Sequence, residues 1–316
     1  MQFKFLFMGK NTAAIFFIFF LGAALAVTLW RLPIESRGEV INGEWMKNYE
    51  AYFGEKSAFT APSKAIWARF EKGKREVVFG DQGQYYTAEE FRTSHQDPQL
   101  YLQHIEYITR VRDALKKEKT ELLIAVIPSK ARMENADDLP EAKKRIASAF
   151  EKDMAERQIA TIMLSDIEFF KADTHWSTKG AKEAARQIAS RLEHGQENFE
   201  NRKTGEKVYR GDLTKFISGD MLDEQIAIYE LSGGKTADLF ADENVPVVLV
   251  GTSYSAKKEF NFENFLKQYL KRDVLNFSDE GRGPFKVMKD YLAEKTYEPE
   301  LVIWEIPERY LTMHLE

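Results

Sequence analysis

The chain has 316 residues, of which 44% are hydrophobic and 30% are charged, and its formal net charge is −5. This length suits one large or two small domains, and the mild acidity argues against nucleic acid as a partner. The chain contains no cysteine, which excludes thiolate nucleophiles, cysteine-bound zinc and disulfides.

The first predicted element is an uncharged apolar stretch over residues 13–30. It is just long enough to cross the hydrocarbon core of a membrane as a helix. Lys4 and Lys10 precede it without any acid, so the positive-inside tendency places the N-terminus in the cytoplasm. We therefore predict a cytoplasmic N-terminus and single-pass membrane anchor over 1–31, and an extracytoplasmic domain, periplasmic or at the cell surface, over 32–316. A cleaved signal peptide and a buried core helix are the alternatives.

The rest of the chain alternates between helical and strand patterns. A helix-like aromatic stretch over 44–74 leads into a strand–turn–strand pattern over 75–91. The elements predicted after it are helix 99–117, strand 122–128, helix 140–158, strand 159–164, helix 178–193, strand 245–251, helix 261–271, strand 273–278, helix 285–295 and strand 300–306. Such alternation predicts an α/β fold with a mainly parallel sheet and flanking helices, interrupted by an irregular polar stretch over 194–243.

Helix 99–117 has a clear apolar period. The apolar residues that we assign to its buried face are Leu102, Ile105, Ile108, Val111 and Leu115, spaced as one side of a helix requires. His104, in the same helix, is predicted to lie at the surface.

An acid and an imidazole stand two residues apart, Asp173 and His175, in a polar stretch that follows a predicted strand. Ser253 follows another predicted strand, two residues after Gly251. Because α/β sheets carry their sites at the carboxyl ends of their strands, the three side chains are expected to meet. A serine needs a base within hydrogen-bond reach, and His175 oriented by Asp173 supplies one. Taken separately, Ser253 is an ordinary turn serine and the Asp–His pair an ordinary helix cap.

The stretches DTHWSTKGAKEAA (173–185), VVLVGTSYS (247–255) and WEIPERYL (304–311) together resemble the AlgJ/AlgX-type alginate O-acetyltransferases, which are SGNH-hydrolase-like proteins. VVFGDQGQYY, IPSKARM, GDL and EGRGPFKVMKDYL occur in the matching order. The resemblance covers about residues 40–316. The sequence offers no clear Gly-x-Asn-Asp block, which is a motif of the broader SGNH enzymes.

The resemblance implies an extracytoplasmic O-acetyltransferase without a cofactor or a metal. Ser253 is then the nucleophile, His175 the base and Asp173 the orienting acid. The residues expected to line the substrate pocket are Arg282, Tyr310, Tyr254 and Trp176, the last two being placed nearest to it. The implied partners are a polysaccharide acceptor and a membrane-bound O-acyltransferase that supplies the acyl group.

Three other functions stay open on the sequence. If water attacks the acyl-serine instead of a sugar, the same triad makes a polysaccharide acetyl esterase. A non-catalytic glycan-binding or scaffold protein would keep its activity without Ser253. A metal hydrolase would use Asp173 and His175 as ligands, although the other histidines show no metal-ligand spacing.

Overall fold

A computed structural model describes residues 77–80, 83–136, 139–216, 222–234, 246–295 and 298–313. The predicted anchor at 13–30 and the predicted helix at 44–74 lie outside these residues. Within them, no helix combines the length and the apolar composition that crossing a bilayer requires.

The described chain forms nine strands and seven α-helices. The strands are β1 (Val77–Phe79), β2 (Tyr85–Thr87), β3 (Glu121–Ile127), β4 (Thr161–Met163), β5 (Phe199–Arg210), β6 (Asp223–Gly233), β7 (Val247–Val250), β8 (Val274–Asn276) and β9 (Leu301–Pro307). The helices are α1 (Asp97–Lys117), α2 (Lys130–Met133), α3 (Glu141–Glu156), α4 (Thr178–Ala189), α5 (Ser253–Ala256), α6 (Phe262–Leu270) and α7 (Pro284–Glu294).

Five parallel strands form the central sheet in the order β4-β3-β9-β7-β8. Successive side chains of β3 point to opposite faces: Leu123 joins the core under α4 and α6, and Ile124 joins the core under α1, α3 and α7. Both faces of the sheet are therefore covered, which is why its strands read as continuous apolar runs. The α/β fold with a mainly parallel sheet is confirmed.

The last strand in the sequence, β9, lies in the middle of the sheet between β3 and β7. Its register pairs Ile303 with Leu123 on one side and with Leu249 on the other. This crossover brings the C-terminal WEIPERY segment to the centre of the sheet edge, beside the turn that carries Ser253.

The polar stretch 194–243 is more regular than its sequence indicates. It contains a long antiparallel hairpin of β5 and β6, with a register shift between Lys203 and Gly205. Most residues of both strands are exposed or partly exposed, so the hairpin lacks the one-sided apolar alternation that identifies a strand in a sequence. Helix α4 also ends earlier than predicted, at Ala189.

Two assignments in helix α1 were wrong. Leu102 is 57% exposed, whereas His104 is fully buried. The His104 ring stacks on Phe285 with ring centroids 4.1 Å apart, and its Nδ1 lies 3.0 Å from the carbonyl oxygen of Leu311. An apolar partner for the ring and a polar partner for one nitrogen make this burial possible.

Candidate active site

Segments that follow separate strands meet at the carboxyl edge of the sheet. Ser253 follows β7, whereas Asp173 and His175 lie in the long segment after β4. Because β3 and β9 stand between β4 and β7, that segment must cross roughly 14 Å at the usual strand spacing. An antiparallel bridge between Phe169 and Trp176 folds the segment into a loop around the acid and the histidine.

The turn that carries Ser253 is packed tightly against β9. Thr252 precedes the short helix α5 and caps it, its hydroxyl accepting from the backbone N–H of Tyr254. A Cβ atom on Gly251 would lie 2.4 Å from Oε2 of Glu305. A larger residue at 251 would force the Glu305 carboxylate to shift away from the backbone, so glycine suits this close approach and not an unusual φ angle.

Glu305 is a buried acid within β9, and it binds the turn that carries Ser253. Its Oε2 accepts from the Thr252 backbone N–H at 2.7 Å and from the Ser255 hydroxyl at 3.0 Å, and Oε1 accepts from the Thr252 hydroxyl at 3.0 Å. Burial raises the pKa of Glu305 to about 7, although the hydrogen bonds from Thr252 and Ser255 favour its ionised form.

These contacts leave one backbone donor of the turn available. The N–H of Thr252 binds Glu305, that of Tyr254 binds the Thr252 hydroxyl, and that of Ser255 binds the Thr252 carbonyl. The N–H of Ser253 has no acceptor among the described residues. The backbone N–H of a serine nucleophile can itself be a donor of the oxyanion hole, as in the Ser-His-Asp proteases.

Ser253, His175 and Asp173 form a continuous chain of hydrogen bonds. The Ser253 Oγ lies 2.7 Å from His175 Nε2, and His175 Nδ1 lies 2.5 Å from Asp173 Oδ1. Both Asp173 and His175 are buried. The nucleophile–base and base–acid contacts are those that activate a serine hydroxyl.

The carboxylate of Asp173 is saturated with donors. Besides the imidazole, Oδ1 accepts from the backbone N–H of His175, and Oδ2 accepts from the Tyr209 hydroxyl and the Asp212 backbone N–H, each at 2.7 Å. Burial alone would raise the pKa of Asp173, but the hydrogen bond and charge of His175, together with Tyr209 and Asp212, lower that pKa to about 2. The acid therefore stays ionised throughout the neutral range.

A second carboxylate, Asp212, lies 3.7 Å from His175 Nδ1 through its Oδ2. One ligand-type atom each of Asp173, His175 and Asp212 falls within 4.8 Å of the others, a spacing that a metal site also shows. The Asp212 oxygens, however, accept from the backbone N–H and hydroxyl of Thr174 at 2.9 and 2.7 Å. With the Asp173 oxygens also occupied by donors, the arrangement favours a hydrogen-bonded acid–histidine pair over metal ligation.

Two adjoining cavities open at this edge of the sheet. One, of about 310 Å³, is lined by Ser253 and His175, and a larger one of about 710 Å³ lies next to it. Glu89, Gly281 and Tyr310 line both. A reacting group held at Ser253 can thus extend into the larger cavity.

This chain is similar to known proteins in both sequence and fold. Residues 77–308 match the family described as "SGNH hydrolase-like domain, acetyltransferase AlgX". The chain belongs to this family. Two relatives, from Pseudomonas syringae pv. tomato and Azotobacter vinelandii, are each named "Probable alginate O-acetylase AlgJ"; they are 32% and 31% identical over 97% of this chain and 90% of their own length.

A solved structure agrees with these matches. The O-acetyltransferase domain of Pseudomonas putida AlgJ superposes with a TM-score of 0.70 and 28% identity, over 77% of this chain and 94% of that one. The resemblance to AlgJ/AlgX-type proteins inferred from the sequence is confirmed, and the chain is an acetyltransferase-family protein with an SGNH-like fold.

Two of the pocket residues expected for this AlgX-family domain do not line either cavity. Trp176 is fully buried and packs on Phe262 with ring centroids 4.6 Å apart. Tyr254 is 1% exposed, packs against the His175 ring and donates its hydroxyl to the Thr174 carbonyl. Both aromatic rings belong to the support of the histidine, so the prediction that they face the substrate is corrected.

Arg282 and Tyr310 do reach the cavities. Arg282 lines the larger one and forms ion pairs with Asp279 and Asp290, whereas Tyr310 lines both. Arg282 thus lines the larger cavity and is absent from the lining of the cavity at Ser253.

Several residues of the site were missed in the sequence. Arg309 lines the cavity at Ser253, with its guanidinium 5.5 Å from the Tyr254 ring centroid and 5.0 Å from that of Tyr310. Glu305 had a visible signal, because it is the one charge within the apolar run of β9. Tyr209 lies in the exposed hairpin, where no periodic pattern distinguishes it.

Proposed function

We propose that the chain is an extracytoplasmic O-acetyltransferase that moves an acetyl group, through an acyl-serine on Ser253, onto hydroxyls of an anionic polysaccharide. The observation that carries this proposal is the hydrogen-bonded chain from Ser253 through His175 to Asp173, facing a cavity. The names of the AlgJ relatives make alginate the first acceptor to test.

In the first half-reaction, Ser253 Oγ attacks the acetyl carbonyl of the donor. A bond forms between Oγ and the carbonyl carbon while the hydroxyl proton moves to His175 Nε2, which lies 2.7 Å from Oγ. The free N–H of Ser253 faces the developing oxyanion, a type of contact worth roughly 3–4 kcal/mol. Collapse of the tetrahedral intermediate passes the proton to the leaving group and leaves acetyl-serine.

In the second half-reaction, a sugar hydroxyl replaces the departed group. His175 Nε2 takes its proton, the sugar oxygen bonds to the acetyl carbon, and the Ser253 oxygen leaves with the proton that His175 returns. Asp173, ionised at neutral pH, stabilises the imidazolium in both halves. Water at roughly 55 M competes, so transfer requires a bound acceptor of high effective molarity, on the order of 10⁵ M or more.

The cavities supply residues suited to an acidic acceptor. The larger one is lined by four cations and two acids, namely Arg92, Lys143, Arg282 and Lys286 with Glu89 and Asp97. Tyr310 offers a ring between this cavity and Ser253, and Arg309 adds a cation beside the triad. Uronate carboxylates are ligands that arginine and lysine bind well.

The location of the reaction is the second part of the proposal. A cytoplasmic N-terminus and a single-pass anchor at residues 13–30 would hold the domain outside the membrane, where a membrane-bound O-acyltransferase delivers the acyl group. A reporter fused after Val40 should be active only outside the cytoplasm. Activity confined to the cytoplasm would contradict the topology without touching the triad.

The decisive experiment uses the purified full-length chain with a chromogenic acetyl ester as donor and alginate oligosaccharides as acceptors. Mass spectrometry should place an acetyl group on Ser253 and then on sugar hydroxyls. Ser253→Ala should abolish both products. Ser278→Ala is the matched control, because Ser278 follows β8 at the same sheet edge but its buried hydroxyl has no partner among the described residues.

Each other outcome has a definite meaning. Acetate release without any acetylated sugar, together with removal of acetyl groups from natural alginate, would favour the esterase. An acetyl group trapped elsewhere, or full activity in Ser253→Ala, would end the acyl-serine mechanism.

A further inference from the structure

A lysine is buried beneath the loop that carries the catalytic acid. Lys130 begins helix α2, with two residues between it and the end of β3 at Ile127, and is 1% exposed. Its ammonium lies within hydrogen-bond distance of four backbone carbonyl oxygens, those of Phe170 at 2.6 Å, Tyr85 at 2.7 Å, Lys171 at 2.8 Å and Asp173 at 3.2 Å. An ammonium has three N–H donors, so all of them are used.

Burial of this charge is costly and needs compensation. Burial lowers the pKa of Lys130, while the charges of Glu134, Glu90, Glu224 and Asp173 favour its protonated form. The backbone contacts are specific as well, because three of the four carbonyls belong to residues 170–173. The lysine thus replaces the ladder hydrogen bonds that an irregular segment cannot form.

A carboxylate holds the same segment by its amides. Glu224, at the start of the second hairpin strand β6, accepts from the backbone N–H of Lys171 through Oε1 at 2.8 Å and from that of Ala172 through Oε2 at 3.0 Å. The two carboxylate oxygens bind consecutive amides. The segment therefore has an ammonium on its carbonyls and a carboxylate on its amides.

We propose that Lys130 and Glu224 are positioning residues that fix residues 170–173 from two sides and thereby set the Asp173–His175 hydrogen bond. Neither residue reaches Ser253 or lines its cavity. Lys130 belongs to α2 and Glu224 to the hairpin, whereas the segment that they hold follows β4. The proposal rests on the function proposed for the triad, since its consequence for rate presumes that Asp173 orients His175.

The position of Asp173 depends on this arrangement because its side chain makes only short contacts. Its Oδ1 must lie 2.5 Å from His175 Nδ1 while Oδ2 meets Tyr209 and Asp212 at 2.7 Å. A shift of the segment by an ångström would break several of these bonds at once, and misplacement of that size costs on the order of 10²-fold in rate.

The test compares Lys130→Met and Glu224→Gln with a matched pair elsewhere. Lys295 pairs with Glu118, remote from the triad, and its side chain is 10% exposed, so Lys295→Met and Glu118→Gln control for loss of a buried cation and its partner. We expect Lys130→Met and Glu224→Gln to lower kcat on the order of 10- to 100-fold with the acceptor KM within about threefold. The controls should keep the wild-type kcat.

A second readout does not depend on activity. The proton between His175 Nδ1 and Asp173 gives a low-field proton NMR signal, which should weaken or shift in Lys130→Met and Glu224→Gln but not in the control pair. If Ser253→Ala leaves the activity unchanged, the proposed function fails, while the NMR signal still tests the positioning role.

Two results would overturn the inference. One is a folded Lys130→Met protein with wild-type kcat and an unchanged low-field signal. The other is an equal loss in the control pair, which would make the effect one of general stability. If Lys130→Met does not fold, Glu224→Gln decides alone, because Glu224 is only partly buried.

Discussion

Ser253 and the Asp173–His175 pair are held in the same site by different parts of the molecule. Ser253 belongs to a turn that continues the buried strand β7, and the neighbouring strand β9 supports that turn through Glu305. Asp173 and His175 lie in a segment outside the sheet. Its supports come from β2, from α2 and from the β5–β6 hairpin.

The sheet itself therefore fixes the position of Ser253, whereas elements outside the central sheet fix the positions of Asp173 and His175. The turn that carries Ser253 depends on one buried acid, Glu305, and on close packing at Gly251. The acid–histidine segment depends on contacts from several elements that are distant in sequence. Variants of Glu305 should therefore act on the serine and its oxyanion donor, whereas variants of Tyr209 should act on the acid.

The largest effect is expected where the two regions join. Ser253→Ala and His175→Ala should each lower the rate by several orders of magnitude, on the order of 10⁵ to 10⁶, and the double variant should lose little more. The reason is that the 2.7 Å hydrogen bond makes the two residues one unit. Initial rates with a chromogenic acetyl ester measure all three variants. Additive losses would show that the two side chains act separately.

The next effect concerns which carboxylate orients the imidazole. Asp173→Asn should lower kcat by about 10⁴, because the amide carries no charge and its NH₂ group, when it faces Nδ1, donates to that nitrogen and favours the wrong tautomer. Asp212→Asn should cost far less, since Asp212 lies 3.7 Å from Nδ1 and binds Thr174. Wild-type kcat should lose nothing through Asp173 above about pH 4, its pKa being about 2. Equal losses in both variants would assign the role to the pair.

The third prediction concerns Glu305, which supports the turn that carries Ser253. Its replacement should change activity and stability in different ways. Glu305→Gln should lower kcat by about 10- to 100-fold, because one acceptor of the Thr252 and Ser255 donors becomes a donor. The pKa of Glu305 is raised to about 7 in the folded protein. Protonated Glu305 therefore stabilises the fold fully below about pH 4.5, and this contribution is lost as the pH rises through 7. The glutamine lacks this titration. Its free energy of unfolding relative to wild type should therefore improve by roughly 3 kcal/mol between pH 4.5 and pH 8.

Urea unfolding of Glu305→Gln and wild type at several pH values measures this difference. The control is Glu118→Gln, whose site is partly exposed and far from the turn. A constant stability difference across the pH range would mean that Glu305 does not titrate near neutrality.

The sequence was sufficient where local patterns carry the information. Continuous apolar runs located the strands of the parallel sheet, and the position of Ser253 and of the Asp–His motif after strands brought the triad together. The strand order was not available in this way. Nothing local in LVIWEIP places β9 between β3 and β7, because that order depends on long-range pairing.

The supports of the triad were missed for a related reason. Lysine usually lies at the protein surface, so the sequence does not show that Lys130 is buried. Its four carbonyl partners come from residues 40 or more positions away in the chain. Most residues of the hairpin that carries Tyr209 and Glu224 are exposed or partly exposed, and no regular apolar alternation marks its strands in the sequence. Trp176 and Tyr254 were expected near the pocket but are buried. An aromatic residue next to a motif can equally well line a pocket or belong to the core.

The smallest predicted effect isolates one support of the acid. Tyr209→Phe removes the 2.7 Å hydrogen bond to Asp173 Oδ2, and a bond to a charged group contributes about 1.5–3 kcal/mol. The pKa of Asp173, about 2 in the folded protein, should rise toward its ordinary value. A depressed carboxyl pKa stabilises the fold above the unfolded value and loses that contribution as the pH falls through the folded value. The cost of Tyr209→Phe should therefore be largest above about pH 4 and should shrink toward pH 2.

Unfolding of Tyr209→Phe at pH 3 and pH 7 measures this slope, and kcat at pH 7 should fall only a few-fold, roughly 3- to 10-fold. Tyr101→Phe is the matched control, because Tyr101 donates to Asp153 at the same 2.7 Å distance but far from the triad. That variant should lose stability and keep the wild-type kcat. The contrary result would be a Tyr209→Phe protein whose free energy of unfolding falls equally at both pH values and whose kcat is unchanged. The Tyr209 hydroxyl would then have no effect on the pKa of Asp173, and the contacts with His175, Asp212 and the backbone of its own loop would be what holds this acid.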